Sequence, residues 1–122
     1  MMLAIAVGLA AGLGATGRYL LDQLIQGWHD SVFPWGTFAI NITGSLLLGL
    51  VTGLALHHGL AHRPTVVLSA GFTGGYTTWS TWAWESLVLA EEGSLLEAGA
   101  NIGASLVVGV LAAAAGLGLA AP

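Results

Sequence analysis

Hydroxyl, amide and indole groups concentrate in one segment of a chain that is otherwise strongly apolar. Residues 71–85 read Gly-Phe-Thr-Gly-Gly-Tyr-Thr-Thr-Trp-Ser-Thr-Trp-Ala-Trp-Glu. Such a run does not suit a lipid-facing helix, because a bilayer offers no water to satisfy loose backbone groups. Irregular, hydroxyl-rich backbone at membrane depth must lie against protein or a wet cavity, and it indicates an ion or substrate site.

Two adjacent glycines, Gly74 and Gly75, predict a break in the helix that contains this run. A break frees backbone carbonyl groups near the bilayer centre, and these groups must find donors or coordinate a cation. Beyond the break, Trp79 and Trp82 lie three residues apart and share a helix face. We expect these two rings to serve function, and we expect Trp84, nearer the end of the segment, to belong to an interfacial aromatic belt.

Neutral donors lie between the two tryptophans and recur on the flanking apolar segments. In the preceding segment a threonine, an asparagine and a serine recur every four residues, and in the following segment an asparagine and a serine have the same spacing. A buried amide in lipid needs partners, so contact between helices is the structural alternative. Without an embedded lysine, such donors suit a small, strongly hydrated anion that must move on, because a fixed cation would hold it. The residues are Thr37, Asn41, Ser45, Ser80, Thr81, Asn101 and Ser105.

Few titratable side chains accompany these donors. Arg18 lies late in the first apolar segment, where we expect a structural role with its guanidinium in a wet vestibule. Glu85 is either a solvated helix-end carboxylate or a residue at the mouth of a pathway. His58 and His62 have helical spacing but no matching carboxylates, which disfavours a metal site. The sequence has no recognisable catalytic triad, nucleotide-binding glycine loop or carboxylate pair, so we expect no enzyme activity.

The elements that must position these groups are membrane-spanning helices. Of 122 residues, 56% are hydrophobic and 7% are charged, whereas a soluble domain carries about a quarter charged residues. A spanning helix needs about 20 mostly apolar residues, which predicts four spans at residues 3–25, 34–56, 64–90 and 95–119. We therefore predict an all-α integral membrane protein with a single four-helix transmembrane channel domain over residues 1–122.

The charge and glycine patterns bear on partners and assembly. Six acidic residues against two basic ones exclude nucleic-acid binding, and so few basic residues leave the positive-inside rule little to act on. This weak bias is compatible with insertion in both orientations.

Glycines four apart let helices approach closely in lipid, and we expect them to serve both packing within a subunit and dimerisation. The pairs are Gly8 with Gly12, Gly49 with Gly53, Gly71 with Gly75, and Gly99 with Gly103.

In this order and over essentially the whole chain, the motifs resemble those of the CrcB/Fluc fluoride-channel family. They are Gly-Ala-Thr-Gly-Arg-Tyr at 14–19, Gly-Thr-Phe-Ala-Ile-Asn-Ile-Thr-Gly-Ser at 36–45, and the run at 71–85. The resemblance implies an antiparallel, dual-topology homodimer in the lipid of the cell membrane, which exports cytoplasmic fluoride passively and so confers fluoride resistance. It also implies a structural sodium ion at the dimer centre, held by the backbone carbonyls of Gly74 and Thr77.

The resemblance also implies roles for single residues, with two departures from the family pattern. Trp79 and Trp82 replace the family's paired phenylalanines, and Asn101 stands where tyrosine is frequent. Tryptophan keeps the positive ring edge that can meet an anion, adds an N–H donor, and is larger. The implied ion-pathway residues are Asn41, Trp79, Ser80, Thr81, Trp82, Asn101 and Ser105. Those implied at the pathway mouth or in structural roles are Arg18, Thr37 and Glu85.

Two other classes of function stay open at this point. A small dual-topology multidrug exporter also has four spans, but its mechanism needs a membrane-embedded carboxylate, and Asp22 lies near a span end. A non-transporting assembly protein would use the glycine-rich packing but would leave the hydroxyl and amide stripes unexplained.

Overall fold

The computed structural model describes residues 1–28 and 30–122, and these contain helices and connectors without a strand. Two long helices come first in the chain, a series of shorter ones follows, and a third long helix comes last. In chain order they are α1 (Met2–Gln26), α2 (Trp35–His57), α3 (His62–Val66), a π-helical segment (Val67–Thr73), α4 (Gly74–Tyr76), α5 (Trp79–Glu91) and α6 (Leu95–Leu119).

Three helices, α1, α2 and α6, are each long and apolar enough to cross a membrane. Their bounds agree with the predicted spans 3–25, 34–56 and 95–119 to within one residue at each end. The predicted span 64–90 corresponds to the series from α3 to α5, which is bent and interrupted. The chain is therefore an all-helical, multi-pass membrane protein.

The interruption of the third span lies at Thr77 and Thr78, so the predicted break at Gly74 and Gly75 is wrong. Gly74 has helical backbone angles (φ −61°, ψ −39°), and both glycines lie within α4. Thr77 (φ −82°, ψ 162°) and Thr78 (φ −148°, ψ 117°) are extended. The glycine at 75 serves packing instead, because a Cβ there would overlap the carbonyl oxygen of Ala11 on α1.

Glycines bring the helices together in two pairs, α1 with the third span and α2 with α6. A Cβ at Gly14 would overlap the carbonyl oxygen of Phe72, and one at Gly116 would overlap that of Leu46. Backbone therefore packs on backbone at these crossings, as small residues permit in lipid.

Two of the four predicted glycine pairs pack against another helix of the subunit, and two do not. Gly49 with Gly53 packs on α6, and Gly71 with Gly75 packs on α1. At the other pairs, Gly8 with Gly12 and Gly99 with Gly103, a methyl group in place of the glycine hydrogen would have no neighbouring atom of the described residues within 4 Å. Half of these pairs therefore serve packing within the subunit, and half lie exposed on its outer surface.

Candidate functional site

A cavity of about 260 Å³ lies beside the interruption of the third span. Polar wall groups come from α2, from the extended residues of the break, and from α6, while two indole rings and two leucines complete the wall. The polar and aromatic lining residues are Asn41, Ser45, Thr73, Thr77, Thr78, Trp79, Trp82 and Ser105. Four of the seven predicted pathway residues thus meet at one cavity, namely Asn41, Trp79, Trp82 and Ser105.

Asn41 holds the broken backbone with both ends of its amide. Its Nδ2 donates to the carbonyl oxygen of Thr78 at 3.0 Å, and its Oδ1 accepts from the Thr78 N–H at 2.8 Å. These two bonds replace the helical bonds that extended backbone cannot make. An amide has two N–H donors and two acceptor sites, so Asn41 keeps one of each for a partner in the cavity.

Thr78 is a wall residue that was not predicted from the sequence. Its hydroxyl accepts from the N–H of Thr81 at 3.2 Å and caps α5, and it is within 3.3 Å of the Ser80 hydroxyl. A threonine directly before a helical segment is a helix N-cap signal, which was available from the sequence. Ser80 and Thr81 themselves are exposed on the outer surface of the subunit and do not line the cavity.

The two tryptophans pack against each other but differ in exposure and bonding. Their ring centroids are 4.5 Å apart with planes inclined at 54°. Trp82 is 9% exposed and Trp79 is 72% exposed. The indole N–H of Trp82 donates to the backbone carbonyl of Asn101 at 3.0 Å, whereas no residue that the structure describes accepts a bond from the Trp79 indole. Of these two rings, only that of Trp79 therefore has an indole donor free for a partner outside the described part of the subunit.

Asn101 lies behind the cavity wall and is completely buried. Its Nδ2 donates to the hydroxyl of Ser86 at 2.8 Å, and its Oδ1 lies 3.5 Å from the hydroxyl of Ser105, which lines the cavity. Burial of an amide in a membrane helix requires such partners. The structure thus places Asn101 as support for the wall residues Trp82 and Ser105 rather than on the wall.

The break also leaves backbone acceptors without donors. The N–H and the hydroxyl of Thr77 both donate to the carbonyl oxygen of Thr73 at 2.9 Å, and the Thr78 N–H is directed to Asn41. Across residues 1–28 and 30–122, no donor is positioned on the carbonyl oxygens of Gly74 or Thr77. Gly74 is exposed and Thr77 is half-buried beside the central cavity, and a cation could use their carbonyl groups.

A second polar cavity, also about 260 Å³, lies at one end of the bundle. It contains Thr37 and Glu85, and the Thr37 hydroxyl donates to Glu85 Oε1 at 2.6 Å. Asp22 lines the same cavity and accepts from the Gln26 side chain at 2.9 Å. Thr37 on α2 and Glu85 on α5 were both predicted for a pathway mouth or a structural role, and the structure shows them bonded to each other.

The polar stripe on α2 connects this end of the bundle to the central cavity. Thr37, Asn41 and Ser45 are four residues apart, and each such step advances about 6 Å along a helix. From Thr37 in the outer cavity to Ser45 in the wall of the central cavity, the stripe runs about 12 Å along α2.

Arg18 lies half-buried on α1, and in the described part of the chain no carboxylate forms an ion pair with it.

Comparisons with known proteins cover nearly the whole chain. The profile of the family described as "CrcB-like protein, Camphor Resistance (CrcB)" matches residues 5–117. The chain is 47% identical over 107 residues to "Fluoride-specific ion channel FluC 1" of Streptomyces avermitilis, covering 88% of this chain and 86% of that protein. It is 46% identical over 118 residues to the FluC 1 protein of Frankia casuarinae, covering 90% and 89%. The FluC 1 protein of Symbiobacterium thermophilum is 45% identical over 117 residues, covering 94% of each chain.

Proposed function

This chain belongs to the CrcB-like family over almost its whole length, and from that premise we propose that it is a fluoride-selective ion channel. Its similar relatives carry the name fluoride-specific ion channel. The observation that carries the proposal is the cavity at the broken span, where neutral amide, hydroxyl and indole groups meet without a charged side chain. Such a wall replaces part of the water around a small anion without holding it as a fixed cation would.

The hydrogen-bond partners of the wall residues indicate which donors an anion can use. The hydroxyls of Ser45 and Thr77 donate to helix carbonyls at 2.7 and 2.9 Å, so they face backbone. Among the residues that the structure describes, none accepts from the second N–H of Asn41 or from the indole N–H of Trp79. Within the described part of the chain, the Ser105 hydroxyl has a single contact, to Asn101 Oδ1 at 3.5 Å. This distance is at the limit of a hydrogen bond, so the hydroxyl proton can turn toward an anion at little cost.

Export is passive in this proposal. Hydrogen fluoride crosses membranes as a neutral acid and dissociates inside, which leaves the anion trapped until a pathway lets it leave down its electrochemical gradient. The central wall contains no carboxylate, so it lacks the embedded acid that proton-coupled cation exchange requires. Asp22 and Glu85 lie in the outer cavity instead. This arrangement favours the channel over the multidrug exporter.

We also propose that two copies of the chain associate as an antiparallel, dual-topology homodimer. In a single subunit Trp79 is 72% exposed and both Gly74 and Ser80 face outward beside the break. Lipid does not tolerate unpaired backbone at membrane depth, so a second protein surface is required there. The exposed pairs Gly8 with Gly12 and Gly99 with Gly103 are suited to close helix contacts, and the scarcity of basic residues sets no orientation.

A structural sodium ion fits the same surface. The carbonyl oxygens of Gly74 and Thr77 lack donors within the described part of the subunit, and an antiparallel partner would bring its own two. Carbonyl groups are the ligands with which proteins replace the hydration shell of a monovalent cation. When bound, sodium would neutralise the carbonyl dipoles and fix the register of the two subunits.

Anion flux from liposomes that contain only this purified chain tests the function. A fluoride electrode should record efflux driven by a potassium diffusion potential, with neither ATP nor a proton gradient present. Protein-free liposomes give the leak rate, and chloride-loaded liposomes measure selectivity. Efflux at the leak rate would reject the channel, and chloride efflux equal to that of fluoride would reject the selectivity.

A further inference from the structure

Three buried groups close a loop of hydrogen bonds between α5 and α6. The Ser86 hydroxyl donates to the carbonyl oxygen of Trp82 at 2.8 Å and accepts from Asn101 Nδ2 at 2.8 Å. The Trp82 indole N–H returns to the carbonyl oxygen of Asn101 at 3.0 Å. Ser86 is 6% exposed, and neither it nor Asn101 lines the central cavity.

This loop reaches the cavity wall at two points. The single donor of Trp82 is fixed to a backbone atom of the neighbouring helix, so the ring cannot rotate without leaving a buried N–H unpaired. The amide plane of Asn101 is fixed by Ser86, and its Oδ1 is thereby aimed at the hydroxyl of Ser105, 3.5 Å away. The backbone of Asn101 thus fixes the Trp82 ring, and Ser86 fixes the Asn101 amide that contacts the Ser105 hydroxyl; Trp82 and Ser105 both line the cavity.

We propose that Asn101 and Ser86 are positioning residues for the ion pathway: the Asn101 backbone carbonyl holds the Trp82 ring, and Ser86 holds the Asn101 amide beside the Ser105 hydroxyl. The inference rests on the proposed channel function and adds that the two tryptophans have different roles in it. Trp79 offers the anion its indole N–H, whereas Trp82 offers only the edge of its ring, because its N–H is committed to Asn101.

Substitution of Ser86 tests the positioning role through a quantity that stability does not change. Single-channel fluoride conductance is a property of each folded channel, so a smaller folded fraction leaves it unaltered. Ser86→Ala should lower this conductance by about threefold to tenfold, because the Asn101 amide can then rotate and each passing ion must order it and the Ser105 hydroxyl. Ser86→Thr keeps the oxygen and should restore most of the parent conductance.

Ser69→Ala is the matched control for this experiment. The Ser69 hydroxyl also donates to a helix carbonyl, that of Thr65 at 2.7 Å, but the serine has no bond to another helix in the described part of the chain and lies away from the cavity. It should conduct like the parent. Folded Ser86→Ala channels with the parent conductance would overturn the positioning role. The channel function would still stand in that case, because the parent itself carries current. An absence of current in the parent would overturn both.

A measurement on the unaltered chain, with variants used only to assign signals, tests the different roles of the two tryptophans. The indole ¹⁵N–H resonances of the labelled protein can be assigned from the spectra of Trp79→Phe and Trp82→Phe. Added fluoride should shift the Trp79 signal, and the Trp82 signal should stay in place with slow hydrogen exchange. A fluoride-dependent shift at Trp82 with none at Trp79 would overturn the assignment.

Discussion

Replacement of Asn41 by alanine tests whether one side chain holds the broken backbone of the third span. The amide donates to the carbonyl oxygen of Thr78 at 3.0 Å and accepts from its N–H at 2.8 Å. Alanine leaves both backbone groups unpaired, and each unpaired buried group costs about 1–3 kcal/mol. The free energy of unfolding should therefore fall by about 2–6 kcal/mol. The loss should be nearer the lower value if water enters the cavity and bonds to the two backbone groups.

The loss can be measured by reversible unfolding in mixed micelles, followed by helical circular dichroism. Asn41→Asp keeps an acceptor for the Thr78 N–H but has no donor for its carbonyl, so its stability should lie between those of alanine and the parent. The new carboxylate would also repel an anion, so fluoride flux per folded protein should fall more steeply than stability. Thr52→Ala is the control on the same helix, because its hydroxyl bonds only to the Leu48 carbonyl. Parent stability in Asn41→Ala would refute this account of the break.

Three further predictions concern packing, the aromatic pair and topology. Gly75→Ala should destabilise the protein by about 1–3 kcal/mol, because its methyl group would overlap the Ala11 carbonyl. Gly17→Ala, whose methyl group finds its nearest atom at 3.8 Å, should be nearly neutral in the same unfolding assay. Leucine at Trp79 or Trp82 should reduce single-channel current by about tenfold or more, whereas phenylalanine keeps the positive ring edge and substantial current; leucine variants that conduct like the parent would remove both rings from the pathway. Cysteine added at the C-terminus should be labelled by an impermeant reagent on both sides of the membrane, and labelling on one side only would contradict dual topology.

The spans could be predicted from the sequence because the bilayer constrains them by length and composition alone. Apolar stretches of about 20 residues bounded by polar or turn-forming connectors give the helix limits directly. The same applies to the set of neutral donors, since an amide or hydroxyl in an apolar segment is conspicuous. Residue type and local spacing were sufficient for the limits of α1, α2 and α6 and for four of the cavity residues. They did not indicate Thr78, and Ser80, Thr81 and Asn101 lie off the cavity wall.

The position of the break could not be derived in this way. Gly74 and Gly75 have the composition of a helix break, but the absence of a side chain at Gly75 serves the approach of Ala11 on α1. The actual interruption is stabilised by Asn41, which lies far from Thr78 in the sequence and meets it only in the folded subunit. Local patterns do not contain a pairing of this kind.

The different roles of the two tryptophans were hidden for the same reason. Their spacing places both on one face of a helix, and nothing in that spacing distinguishes them. The distinction comes from α6, where the backbone carbonyl of Asn101 accepts the indole proton of Trp82. Contacts between helices therefore decide which polar groups are free for an ion, and these contacts had to be observed.

A reversal potential measured in a planar bilayer tests the central claim most directly. A tenfold fluoride gradient, balanced with a large impermeant anion and with no other gradient, should give single-channel currents that reverse at a magnitude of about 59 mV. Chloride substituted for fluoride on one side should carry almost no current. Currents that reverse near zero, or that follow the chloride gradient, would contradict a fluoride-selective channel.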